Sequence, residues 1–334
     1  MPIPNFTCSI LAAMAMHAGG DRPTASPEMV SRGPIGTRNG RVLALPFLRF
    51  VPRADLLGPG ESSLETSIQV INDVRRDPKD VNQTSVLEED HETQRLSILY
   101  SRGLANGLEL SGELPLMSRN GGFMDPIIHW WHHTILPPQD RVRDHLPFGR
   151  TFIRIPGVGD FGSASGIGAL SVYARKRITP NLIASAGVKL PTGSANDLLG
   201  SGAFDAGVNL EYRTMLGRKF QFDASVGLIA QGKPTVLRRA KGLVDQESFS
   251  LSYLRNSRDT WVFQWQSEAA PVMTVSSANG PQRMLTFGYQ RRLSNSQRLD
   301  LYFSEDADLL PGATILVNTA PDFTIGIRYV MKLK

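Results

Sequence analysis

The sequence predicts an all-β protein: an antiparallel transmembrane β-barrel of about twelve strands with a short helix in one long loop. Three observations predict it. Apolar and polar residues alternate with a period of two over segment after segment. No stretch reaches the roughly 18 consecutive apolar residues of a transmembrane helix. The connections between the alternating segments run long and short in turn, as external loops and periplasmic turns do in bacterial barrels.

The clearest segment is Arg218–Gln231. Phe220, Phe222, Ala224, Val226, Leu228 and Ala230 form one set, and Gln221, Asp223, Ser225, Gly227, Ile229 and Gln231 the other. A strand sends alternate side chains to opposite faces, so one face is apolar and the other almost wholly polar. Its length suits a tilted strand crossing a bilayer, which needs roughly 9–11 residues.

The pattern starts with Leu64, Ile68 and Val70 against Glu65, Ser67 and Gln69. It continues at Leu96–Tyr100 and at Leu108–Leu116, where Glu109, Ser111 and Glu113 form the polar set. An irregular stretch, 117–165, then interrupts it. Alternation resumes at Leu170–Arg175, Leu182–Leu190 and Phe204–Arg213, and later at Phe249–Tyr253 and Trp261–Gln266. Leu285–Gln290, Leu299–Ser304 and Phe323–Lys334 complete the series. Closure follows from the medium. In lipid every backbone N–H and C=O must be paired within the protein, so an open sheet edge is excluded. Apolar faces then meet lipid and polar faces line the lumen. Tyr100, Tyr212, Phe220, Trp261, Phe303 and Tyr329 suit interfacial girdles.

Composition sets the outer bounds. At 41% hydrophobic the chain is far too polar for a helical membrane protein. The net charge of +5 is spread along the chain, which argues against a nucleic-acid partner. Cys8 is the only cysteine, so no intramolecular disulfide forms. It lies in residues 1–20, which read as a signal peptide: an apolar run, Cys8–Met16, with small residues Ala13, Ala15 and Ala18 around it. Residues 21–60 read as an irregular N-terminal segment and 61–334 as the barrel. Within 21–60, Val42–Val51 is apolar but broken by Pro46, so it reads as an edge strand or a segment tucked inside.

Three stretches carry a resemblance. One is Gly121-Gly122-Phe123-Met124-Asp125 through Trp131-His132 to Leu136-Pro137. A second is Lys189-Leu190-Pro191-Thr192-Gly193 with Leu198-Leu199-Gly200-Ser201-Gly202. The third is Arg38-Asn39 with Leu45-Pro46-Phe47. Together they resemble DUF3187, a family of uncharacterised proteobacterial outer-membrane β-barrel proteins, over the chain from about residue 33 onward. The resemblance implies an envelope barrel and brings no activity or catalytic residues. One departure is the ending Met331-Lys332-Leu333-Lys334, where outer-membrane strands usually finish on an aromatic residue.

Candidate chemistry is sparse. Asp125 with Pro126 is a helix start, and Pro137-Pro138 ends a short apolar helix over about 125–136. That helix is expected to cap or plug the barrel rather than lie on the bilayer surface. On it Asp125, His129 and His133 share a face. Zinc needs at least three ligands and a second shell, so no metal is expected there. Gly157–Gly168 precedes a strand rather than a helix, so it is not a phosphate loop. No serine has a nucleophile-elbow pattern, and no enzyme or cofactor is expected.

The lumen face gathers acids at Glu65, Glu109, Glu113, Glu211, Asp223 and Asp300. It gathers bases at Arg175, Lys189, Arg213, Arg292, Arg328 and Lys332. Their signs balance, which favours cross-linking ion pairs over a single-sign selectivity ring. The expectation is a pore or transporter for a small solute. A structural or interaction barrel with a plugged lumen is the alternative, and a lipid-modifying enzyme comes third. Expected partners are outer-membrane lipid and, during biogenesis, the barrel assembly machinery.

Overall fold

A computed structural model describes residues 30–53, 56–77, 87–134, 146–273, 279–307 and 321–333. The signal-peptide segment and the end of the helix beyond residue 134 lie outside the described residues. The first strands are β1 (Ser62–Asp77), β2 (Leu87–Leu104) and β3 (Leu108–Asn120). Helix α1 (Asp125–Thr134) follows, then three short strands, β4 (Phe152–Ile155), β5 (Gly159–Phe161) and β6 (Ala164–Ile167). Next come β7 (Ser171–Thr179), β8 (Leu182–Lys189), β9 (Asp205–Leu216) and β10 (Phe220–Gln231). The last are β11 (Leu243–Leu254), β12 (Asp259–Glu268), β13 (Gln282–Arg292), β14 (Gln297–Asp306) and β15 (Phe323–Leu333).

Twelve of these strands form a closed antiparallel barrel. Each of β7 to β14 pairs with the next, β3 joins β7 to β2, and β1 closes the ring between β2 and β15. All twelve are segments that the alternation marks. The short β4, β5 and β6 fall within 117–165, which reads as irregular. They have three or four residues each, too few for a period of two to register. β4 pairs with Glu88–Asp90 of β2 and with β5, so this hairpin extends the wall above the bilayer. There Arg154 donates two hydrogen bonds to Asp160, 2.9 and 2.8 Å, and these hold the Asp160 carboxyl below its usual range.

The outside of the barrel is apolar. Ile68, Val172, Val208, Leu228, Leu251, Leu301 and Ile327 are exposed there. Among the described residues no second sheet covers them, so the periodicity marks a lipid boundary. Aromatic rings run diagonally across this face, with Phe287 on Phe303 at 5.3 Å and Phe303 on Phe323 at 6.0 Å.

α1 does not enter the lumen. It packs on the outer wall at the long-loop end, which corrects the expectation of a cap or plug. Trp131 sits 6.3 Å from the outward-facing Phe323 and donates from Nε1 to Glu305 at 3.1 Å. Asn72 donates to Asp125 at 2.8 Å, and Glu92 accepts from the Phe123 and Met124 amides at 3.0 and 2.9 Å. The helix covers polar groups of β1 and β2 that rise above the bilayer. Its remaining face shows Ile127 and Trp130, beside the exposed Phe123 that precedes the helix.

Candidate functional site: a lumen filled by the N-terminal segment

A twelve-stranded barrel is too wide for its own side chains to fill; eight strands is about the size at which they do. Residues 30–53 take up the space. This segment forms a hairpin inside the barrel. Its first limb starts at the short-turn end, where the Val30 amide donates to Asn295 O at 2.6 Å and Arg32 donates to Asn256 O at 2.6 Å. The chain reverses at the long-loop end through a turn in which Ala44 N and Leu45 N both donate to Arg41 O at 2.9 Å. It then returns to the short-turn end, where Gly60 N meets Gly103 O at 2.9 Å just before β1. Of the two readings of Val42–Val51, the tucked-in one describes the structure. Pro46 sits at the reversal.

An extended segment inside a lumen must find partners for its backbone. The wall supplies them from amide side chains. Gln264 accepts from Ile35 N at 3.0 Å and donates back to Ile35 O at 3.1 Å. Gln246 does the same for Phe50, at 3.0 and 2.7 Å. Gln290 accepts from Gly33 N at 3.1 Å, and Asp205 from Leu48 N at 2.9 Å. Such clamps hold the backbone and not the side chain, so the sequence of the plug shows little of them. Close approach fixes the glycines. A Cβ at Gly40 would lie 2.5 Å from Ile71 Cδ1, and one at Gly288 would lie 2.7 Å from Ile35.

Ion pairs lock the same region. Arg41, fully buried, pairs with Asp73 at 3.3 Å and Glu89 at 2.5 Å. Arg49 meets Glu268 at 2.6 Å, and Arg53 meets Glu109 at 3.1 Å. The mouth above is dry. Val42, Leu43 and Phe47 of the plug tip pack with Leu87, Ile153, Leu198, Leu237 and Val272 in one apolar cluster.

The lumen candidates all fall into this network. Glu109 and Glu211 share Arg175, at 3.1 and 2.8 Å, and Glu113 bonds Arg95 and Ser97. Arg213 pairs with Asp223 at 2.5 Å. Asp300 lies between Arg298 and Arg328, 2.8 Å from each, and Arg328 also reaches Pro34 O at 3.3 Å. Arg292 donates to Val30 O at 2.9 Å. Lys189 bonds Ser201, Ala203 O and Asp205 at 2.5, 2.8 and 3.3 Å. Glu65 lies 3.5 Å from Arg328, and Lys332 lies 3.2 Å from Glu61 at the short-turn rim. Sequence reasoning missed Arg95, Arg298, Asp205 and the glutamine clamps. Gln246, Gln264 and Gln290 occupy lumen-facing positions, and that recurrence was the available signal.

On α1 the His129 and His133 rings lie 4.1 Å apart, and His133 Nδ1 is 2.9 Å from His129 O. Asp125 faces Asn72 and the Gly149 amide instead. Among the described residues no group of three or more His, Cys, Asp or Glu is placed to hold a metal.

A family profile described as "Protein of unknown function (DUF3187)" matches residues 79–333. The chain belongs to the DUF3187 family. The match begins after the plug, so the Arg38-Asn39 and Leu45–Phe47 motifs precede it. No curated protein matches the chain. Among solved structures, the DUF3187 barrel is similar to the COG4313 outer membrane channel from Pseudomonas putida F1. That similarity has a TM-score of 0.56 at 14% identity over 84% of this chain and 97% of that one. It is also similar to the Ralstonia pickettii toluene transporter TbuX, with a TM-score of 0.44 at 8% identity over 83% and 90% of the two chains. At these identities the likeness is one of fold. This DUF3187 member is an outer-membrane β-barrel.

Proposed function

We propose that the protein is a pore or transporter for a small solute, closed in this state by its own residues 30–53. The observation that carries the reading is that the lumen's occupant is a segment N-terminal to the barrel, held along its limbs by polar contacts and at its tip by an apolar cluster. Wall side chains alone do not close the lumen. Polar contacts exchange with water at small net free energy, about 1 kcal/mol each, so a wall–plug contact separates without breaking the barrel. On this reading the partners are outer-membrane lipid, the assembly machinery during insertion, and the solute. The description of the Pseudomonas structure as a channel supports it by analogy of fold.

Planar-bilayer recording tests it, comparing the full chain with a deletion of residues 30–53. The full chain is expected to conduct in brief openings. The deletion is expected to give a steady conductance at least about tenfold higher, as the wider lumen of a larger barrel would. A deletion barrel that folds and stays silent would contradict the reading. The dry cluster at the mouth favours a second reading, a permanently closed envelope barrel. That reading predicts a full chain with no openings at all and no solute uptake in vesicles.

A further inference from the structure

Beside the plug, at mid-lumen, lies a cavity of about 40 Å³. A water needs roughly 10–15 Å³ measured this way, so the cavity holds about three waters or an ion of similar size. Five arginines line it: Arg38, Arg53, Arg95, Arg175 and Arg328. Four of them face a carboxylate. Arg95 has Glu113, Arg175 has Glu109 and Glu211, Arg53 has Glu65 and Glu109, and Arg328 has Glu65 and Asp300.

Arg38 is different. It is 7% exposed, and its recorded hydrogen bonds all leave from Nη2, to the carbonyls of Ala44, Leu45 and Phe47 at 3.3, 3.3 and 3.0 Å. Its Nε is buried without a partner, as is Nε of Arg53 on the same cavity. No carboxylate lies within ion-pair distance of it among the described residues. A guanidinium stays protonated at any ordinary pH. Glu113, which also lines the cavity, acts on Arg38 only from beyond ion-pair distance and is already paired with Arg95, so the buried Arg38 charge is under-compensated; a bound ion of opposite sign relieves that cost.

We infer that this cavity is a binding site for one small monovalent anion, such as formate or chloride, with Arg38 as its counter-charge. The volume limits the ligand to about three heavy atoms. One uncompensated arginine limits it to one negative charge. A carboxylate would accept from Nη1–H, which makes no hydrogen bond among the described residues, because Nε itself is closed off by its neighbours. The site belongs to the closed state and does not require that the barrel conduct.

Isothermal titration of the detergent-purified full chain with sodium formate, in a buffer of large anions, tests the inference. One saturable site is expected. Arg38→Met should weaken it at least tenfold. Glu65→Gln removes a wall carboxylate with long contacts to its arginines, and should tighten binding several-fold. Heat-modifiable gel mobility reports whether each variant folds. Absence of saturable binding in the unaltered protein would overturn the site, as would an Arg38→Met affinity within twofold of it. If Arg38→Met fails to fold, Glu65→Gln decides, and an affinity unchanged or weaker there would also overturn it.

Discussion

Arg41→Met is expected to loosen the plug by about 3–5 kcal/mol, because it leaves two buried carboxylates without their counter-charge. Arg41, Asp73 and Glu89 are all inaccessible to solvent, and the pair distances are 3.3 and 2.5 Å. In water such charges would be screened and the loss small. Here each carboxylate must stay buried and uncompensated, take up a proton, or draw water in by moving the plug tip. Since each 1.4 kcal/mol is a factor of ten, the open population should rise by roughly two to three and a half orders of magnitude. Proteolysis of the plug and channel opening should rise together. The exposed pair Arg154–Asp160 is the control. Arg154→Met should leave both readings unchanged, as surface pairs contribute little. Equal effects from the two variants would show that Arg41 does not anchor the plug.

Tying the plug to the wall should have the opposite effect. A Cβ built on Gly40 lies 2.7 Å from Ile71 Cγ2 and 2.9 Å from Cγ1. Both atoms are bonded to Ile71 Cβ, so the two Cβ atoms lie no more than about 4.2 Å apart, within the reach of a disulfide. The double variant Gly40→Cys/Ile71→Cys should oxidise readily and abolish openings in a planar bilayer. Reduction should restore them. Cys8, the chain's one native cysteine, is to be replaced in the same background. Openings that persist in the fully oxidised protein would mean that solute passes without displacing residues 40 and 71.

The barrel was legible because lipid imposes a simple rule on each strand. Phe220–Gln231 and its eleven counterparts declare their two faces by alternation alone, and the loop lengths order them. The longer reach of β1 and β2 was not legible. Above the bilayer both faces of these strands are covered, by the plug tip within and α1 without, so Ile71, Asn72 and Glu92 break the pattern. The position of α1 was misjudged for a related reason. Its apolar residues suited any packed site, and only Trp131 against Phe323 and Glu305 distinguishes outer wall from lumen. The plug was half visible. Val42–Val51 looked misplaced as a strand, but its partners are wall side chains distant in sequence that hold only backbone atoms.

Hydrogen exchange on the plug amides tests the central claim most directly. Gly33, Ile35, Leu48 and Phe50 each donate a backbone N–H to a wall side chain, at 3.1, 3.0, 2.9 and 3.0 Å. If the segment is seated in the lumen, these amides should exchange at least about a thousandfold more slowly than in a free peptide, approaching the strand amides. Free-peptide rates at those four positions, with the strands still protected, would place the segment outside the barrel and contradict the account.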